Sequence, residues 1–255
     1  MESVDRTIRP VIRILARKLA RRFGVDVVRP RPTLCDLLKR HRIGTVLDVG
    51  ANVGQFGLGL RAWGFQGRII SFEPVADAYS ALARQTARDA NWSALQVALS
   101  DRDGEDVLRV SPDSVFSSLR VMGAPLRRRF PAAEAVREQT ILTRRLDSLW
   151  PELSVGSERV LLKSDTQGYE REVLLGARNA LDSVYGVQLE ASVEPLYEGE
   201  ATMTELLELM EELGFVLSGI EAGTHDPESQ RLLQADCLFL RRSAAPATTR
   251  AALVS

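Results

Sequence analysis

The sequence predicts an α/β fold built on a doubly wound, mostly parallel sheet. Three observations predict it. Apolar, β-branched runs alternate with helical patterns from residue 45 onward, as crossover helices between parallel strands require. Residues 45–49 are apolar on both faces apart from an acid, which marks a strand buried on both sides. That run then ends at Asp48 and breaks at Gly50 and Gly54 before a helical pattern over 53–63, a strand–turn–helix unit of the kind that opens a ligand crevice. At 255 residues and 45% hydrophobic, the chain can bury a sizeable core as one enzyme-sized domain.

Charge and cysteine content narrow the partners. A formal net charge of −1 gives no global basic field, so nucleic acid is not expected as a partner. Cys35 and Cys237 fit no metal spacing and no disulfide framework, which suits a reducing compartment. Cys237 lies in an apolar run and reads as a small buried hydrophobe.

Taken in order, residues 10–23 read as a helix with Pro10 near its start. Ile8, Ile12, Leu15, Leu19 and Phe23 repeat at helical spacing, and Arg9, Arg13, Arg17 and Arg21 form another face. Such a helix suits an anionic membrane surface, reached through residues 8–23, and equally suits packing on the sheet or on another subunit in a homodimer. The arginines argue against a secretory signal, and no run approaches the ~20 apolar residues of a membrane span. The expectation is a soluble, cytoplasmic protein, with the inner membrane face as its peripheral site. Residues 29–32 read as a connector and 33–39 as a short helix, so residues 1–40 form an N-terminal segment, 41–242 the main domain and 243–255 a flexible tail.

The glycine loop is Gly-x-x-x-Gly, not the G-x-G-x-x-G of dinucleotide sites. An acid beside it, Asp48, would repel a pyrophosphate but suits a sulfonium. A second acid, Glu73, closes the strand-like run 68–73 at roughly the offset where ribose hydroxyls are gripped. Together they favour S-adenosylmethionine over NAD. Pro74 opens the next helix, with Ala78, Leu82 and Ala83, and residues 95–99 read as the third strand. Ser100 and Asp101 follow in a turn, placed for contact with the adenine side.

Residues 105–143 break the alternation. Short strands are expected at 106–110 and 139–143, and the piece between holds Ser117, Ser118, Gly123, Pro125 and Arg127-Arg-Arg129. An insertion here would act as a lid or substrate wall, with the arginines either solvated or facing an anionic group.

Residues 160–170 repeat the opening design: an apolar strand, Asp165 at its end, a glycine, then a helix through Val173, Leu174 and Ala177. Asp165 should face the crevice opposite Gly50. The next strand, 184–190, ends in Glu190. Acids at adjacent strand ends can share a proton, hold a divalent metal such as Mg²⁺, or take a proton from a hydroxyl. Thr202-x-x-Glu205 is a capping box for a helix carrying Met203, Leu206, Leu207, Met210 and Leu213 and stopped by Gly214. Residues 215–220 and 236–241 read as a closing strand pair. His225, in their connection, is a surface histidine or a general base.

These residues also carry a family resemblance. Asp48-Val-Gly-Ala-Asn-Val-Gly54, Phe72-Glu-Pro74, Ala98-Leu-Ser-Asp101, Ser117-Ser-Leu119, Leu146-Asp147, Leu162-Lys-Ser-Asp-Thr-Gln-Gly-Tyr-Glu170 and Leu196-Tyr-Glu-Gly199 occur in an order and spacing that resembles the FkbM family of S-adenosylmethionine-dependent methyltransferases. The match covers roughly residues 45–241, with Ser164 standing where an apolar residue is expected. The resemblance implies a seven-stranded, Rossmann-like class I methyltransferase fold and methyl transfer to oxygen. The acceptor class it implies is a sugar hydroxyl in a glycolipid, polysaccharide or glycosylated natural product, with a non-sugar small molecule or lipid as the alternative acceptor. It assigns Gly50, Asn52, Gly54 and Glu73 to the cofactor and sets Asp165 and Gln167 beside the transferred methyl. A sugar hydroxyl needs a base or metal to lower its pKa, and Asp165 and Glu190 are the candidates. A non-catalytic cofactor-binding protein, or a membrane-associated scaffold, is the reading from another class.

Overall fold

The structure, a computed structural model, describes residues 34–242. The expected helix at 10–23, the connector at 29–32 and the tail at 243–255 lie outside the described residues. The chain divides into two units, residues 1–37 and 38–255. Helix α1 (Leu34–Arg40) leads to β1 (Ile43–Val49), α2 (Gln55–Ala62), β2 (Arg68–Phe72), α3 (Ala76–Thr86) and β3 (Trp92–Leu95). Next come β4 (Ala98–Leu99), β5 (Gly104–Val110), α4 (Ala124–Arg129), β6 (Arg137–Arg144) and α5 (Leu146–Leu149). The chain closes with β7 (Arg159–Ser164), α6 (Glu170–Leu175), β8 (Val184–Ser192), α7 (Met203–Glu212), β9 (Phe215–Ala222) and β10 (Gln234–Arg241).

The main sheet has seven strands in the order β3-β2-β1-β7-β8-β10-β9. Strands up to β8 run parallel, and β10 runs antiparallel to both β8 and β9. The order reverses between β1 and β7, so the carboxyl ends of these two strands flank the switch point, with Val49 in register with Ser164. Burial explains why β1 is the centre: Thr45, Val46, Leu47, Asp48 and Val49 are all at most 1% exposed. Leu47, Val49, Phe72, Leu162, Val187 and Leu189 from the strands share one core with Val173 and Leu174 of α6 and Leu206 and Met210 of α7. Each such side chain contributes roughly 1.5–3 kcal/mol by leaving water.

Two expectations are corrected and a third holds. Residues 95–99 are not one strand: β3 ends at Leu95 in the main sheet, and β4 pairs with β6 in a second sheet of order β4-β6-β5. An apolar run shows burial but not which sheet receives it, and here the chain turns out of the main sheet at residues 96–97. The helix expected over 53–63 starts later, because Gly54 takes the N-cap in a left-handed conformation with φ 94°. The capping box at Thr202 forms as read, with Thr202 and Glu205 bonding each other's backbone N–H. The second sheet and α4 are built from residues 98–144, and Ala98, Leu108, Val110 and Ile141 pack a small core against Val75 and Ala78. Among the described residues no helix is long and apolar enough to cross a membrane.

Candidate active site

The turn after β1 holds Gly50 at φ 75° and Asn52 at φ 49°. A Cβ on Gly50 would run into the carbonyl oxygen of Asp165, so the ends of β1 and β7 approach as they do only because this residue is glycine. The same turn delivers the Asn52 N–H to Glu73 Oε2 at 2.7 Å, while Val75 N donates to Oε1 at 2.8 Å. Glu73 is 5% exposed, and burial pushes its pKa up to about 7.

A cavity of about 210 Å³ opens at the carboxyl ends of β1, β2, β7 and β8. Gly50, Asn52, Glu73, Asp165, Gln167 and Glu190 all line it. Residues 114–119 of the insertion also line it, and Ser114 Oγ donates to Asn52 Oδ1 at 3.0 Å.

The structure brings Asp165 and Glu190 together through a third residue. Gln167 Nε2 donates to Asp165 Oδ1 at 3.0 Å and to Glu190 Oε2 at 2.7 Å. Gln234 Nε2 donates to the same Glu190 oxygen at 2.8 Å. Burial and the nearby Asp165 charge push the pKa of Glu190 well above the ordinary carboxylate value.

Four expected cofactor residues do not line the cavity. Asp48 is fully buried, 3.3 Å from Lys163 Nζ and accepting from Ser71 Oγ at 3.2 Å, so its charge is met inside the sheet. Gly54 caps α2, where a Cβ would meet Leu82 and Trp92. Ser100 Oγ donates to Asp101 at 3.1 Å and lies 3.3 Å from the hydroxyl of Tyr169, whose side chain does reach the cavity. His225 is exposed, its Nδ1 3.0 Å from the Gly223 carbonyl. Arg127 pairs with Glu134, and Arg129 with Glu194 and Asp226, so these two arginines fasten the insertion.

Lys163, Gln234 and Tyr197 were not predicted as site residues. Lys163 Nζ lies 3.3 Å from Asp48 and 3.5 Å from Asp165 Oδ2. Burial opposes its charge, but Asp48, Asp165 and Glu190 outweigh burial and raise its pKa. Its signal in the sequence is a cation inside an otherwise apolar strand. Tyr197 donates to Gln167 Oε1 at 2.9 Å, and nothing in its local sequence announces that contact.

Residues 48–217 match the methyltransferase FkbM domain. The chain belongs to the FkbM methyltransferase family. As an FkbM protein it is an S-adenosylmethionine-dependent methyltransferase with a Rossmann-like seven-stranded sheet. Solved structures similar to this FkbM chain include a candidate RNA methyltransferase of Pyrococcus horikoshii, at 14% identity, 82% coverage of both chains and TM-score 0.44. Magnesium protoporphyrin IX methyltransferase of Synechocystis PCC 6803, solved with bound cofactor, is 8% identical over 82% of this chain and 76% of that one, TM-score 0.45. A candidate S-adenosylmethionine-dependent methyltransferase of Listeria monocytogenes is 10% identical over 81% and 97%, TM-score 0.44. No curated protein matches the FkbM chain in sequence.

Proposed function

We propose that this FkbM methyltransferase transfers the methyl group of S-adenosylmethionine to a sugar hydroxyl of a glycolipid, polysaccharide or glycosylated natural product. The observation that carries the reading is the gathering of Asp165, Gln167, Glu190 and Gln234 on one wall of the cavity. The amides there hold the two acids, and the acids' remaining lone pairs can accept from neighbouring hydroxyls, which is what a ring of hydroxyls offers.

The chain's groups fit the cofactor. Glu73, with one N–H already on each oxygen, keeps lone pairs for the ribose hydroxyls. Val97, Leu99 and Leu108 give an apolar wall suited to a base, and the Gly50–Asn52 turn and Gln167 lie on the side toward the acids. Bound there, S-adenosylmethionine supplies an electrophilic methyl group on a sulfonium. The protein positions the acceptor hydroxyl, excludes water and takes its proton. Glu190 is the base the geometry favours, because its Oε1 accepts no hydrogen bond among the described residues while its Oε2 is held by two amides. Mg²⁺ fits the donors poorly: a Gln167 N–H₂ spans the two acids, and among the described residues no three His, Cys, Asp or Glu groups gather to hold a metal.

The test is methyl-labelled S-adenosylmethionine with a panel of glycosides, assayed for labelled ether product. The reading predicts label on a glycoside hydroxyl. Glu190→Gln should lower kcat about 10²- to 10⁴-fold while S-adenosylhomocysteine binds as before. Label found only on a non-sugar alcohol would replace the acceptor class, and full turnover by Glu190→Gln would remove Glu190 from the chemistry.

A further inference from the structure

Glu190 does not hold its own orientation. Its Oε2 accepts from two amides, Gln167 and Gln234, while Oε1 accepts no hydrogen bond among the described residues. The Gln167 amide spans both acids with a single nitrogen. An amide can turn over and exchange its N–H₂ for its carbonyl oxygen, and a flipped Gln167 would set lone pairs against two carboxylates. Tyr197 acts against that flip from the far side: its hydroxyl donates to Gln167 Oε1 at 2.9 Å. If the amide flipped, the hydroxyl would have to accept from it and give its own proton to the more distant Phe116 carbonyl at 3.4 Å. Tyr197 is 2% exposed, and burial followed by the charges of Glu190 and Glu200 pushes its pKa up, so it stays a donor.

The backbone of Gln167 is held as firmly. It sits at φ 55°, left-handed and costly for a residue with a Cβ, although the next residue is a glycine. Its carbonyl accepts from Ser118 Oγ at 2.7 Å.

Tyr197 is placed by two separate parts of the fold. In the β8–α7 connection, Glu200 Oε2 accepts from the N–H groups of Leu196 and Tyr197, and Oε1 accepts from Ser192. On the insertion side, Met122 bridges the backbone of Tyr197, and the Phe116 carbonyl lies 3.4 Å from the tyrosine hydroxyl.

We propose that Tyr197 is a positioning residue for methyl transfer, fixing the amide of Gln167 so that Gln167 holds Glu190 with Oε1 left for the acceptor hydroxyl. This rests on Glu190 being the proton acceptor, and the test separates the two ideas. In ¹H–¹⁵N spectra, the Gln167 side-chain N–H₂, assigned by its loss in Gln167→Ala, should be shifted by the two acids and protected from exchange. In Tyr197→Phe these signals should move and exchange at least about tenfold faster. Signals left in place by Tyr197→Phe overturn the proposal, whatever the acceptor is.

With an acceptor in hand, Tyr197→Phe should lower kcat roughly 10- to 100-fold, with KM for S-adenosylmethionine and Tm nearly unchanged. Placed on Gln167→Ala, it should add almost no further loss, because both changes break one chain of contacts. Independent losses that multiply, or an unchanged kcat, contradict it. An enzyme that methylates no glycoside would sink the sugar reading alone, and the spectra would still decide the role of Tyr197.

Discussion

At the scale of single residues, burial sets the chemistry. Glu73 is surrounded by apolar walls and two backbone N–H donors, and its pKa stands near 7 instead of 4.5. In the free protein it is therefore neutral below about pH 7, and binding of ribose hydroxyls to the carboxylate form must release that proton. Affinity for S-adenosylhomocysteine should rise with pH up to about 7, approaching tenfold per unit at the acid end, and level off above. Calorimetric titration between pH 5.5 and 8.5 checks this, and Glu73→Gln should bind weakly with no such slope. The sequence showed Glu73 as an acid at a strand end before Pro74, and the structure finds it lining the cavity. Sequence reasoning placed Asp48 at the cofactor, whereas a lysine far away in sequence, Lys163, supplies its counter-charge inside the sheet. Lys163 stands between apolar neighbours and a serine, and only the β1–β7 pairing reveals that it faces Asp48.

At the scale of elements, the β1 unit and the β7 unit were readable because each ends in an acid and a glycine-containing turn. The insertion was readable as a break in pattern carrying two strands, found as β5 and β6. What could not be read is how it is fastened, because its contacts are with distant residues, such as Arg129 with Asp226 and Arg120 with the Gly168 carbonyl. Helix α6 carries a prediction of its own. Glu170, its first residue, is 3% exposed and accepts from Thr166 N and Oγ1, and burial pushes its pKa up to about 8. Between about pH 4.5 and 8 the folded protein keeps a proton that the unfolded chain releases, so stability is full below that window and falls as pH rises through it. Glu170→Gln keeps the acceptor oxygen and removes the charge. Its Tm should exceed that of the wild type at pH 9 by several degrees, and the difference should vanish near pH 4.5. Melting curves across this range decide it.

At the scale of the whole molecule, the seven-stranded order places every cavity-lining acid at the carboxyl end of a strand, on one edge of the sheet. That arrangement follows from parallel strands and could be anticipated from alternation alone. The closing antiparallel pair, β9 and β10, was also legible, but not that Gln234 would donate to Glu190. For the basic amphipathic stretch at residues 8–23, we propose peripheral contact with anionic membranes, because arginines on one face and apolar residues on another suit an anionic lipid surface. Full-length protein should co-sediment with vesicles containing phosphatidylglycerol and be released by about 0.5 M salt, and a variant lacking residues 1–32 should stay in the supernatant while still binding S-adenosylhomocysteine. Equal sedimentation of both proteins would leave packing, on the sheet or on another subunit, as the use of that stretch.

The most direct test of the central claim is calorimetric titration of the purified protein with S-adenosylhomocysteine and, separately, with NAD. The site described above predicts one-to-one binding of S-adenosylhomocysteine, loss of that binding in Glu73→Ala, and no heat with NAD. Well-folded protein that fails to bind S-adenosylhomocysteine, or that binds it equally well without Glu73, would contradict the assignment of this cavity to the methyl donor.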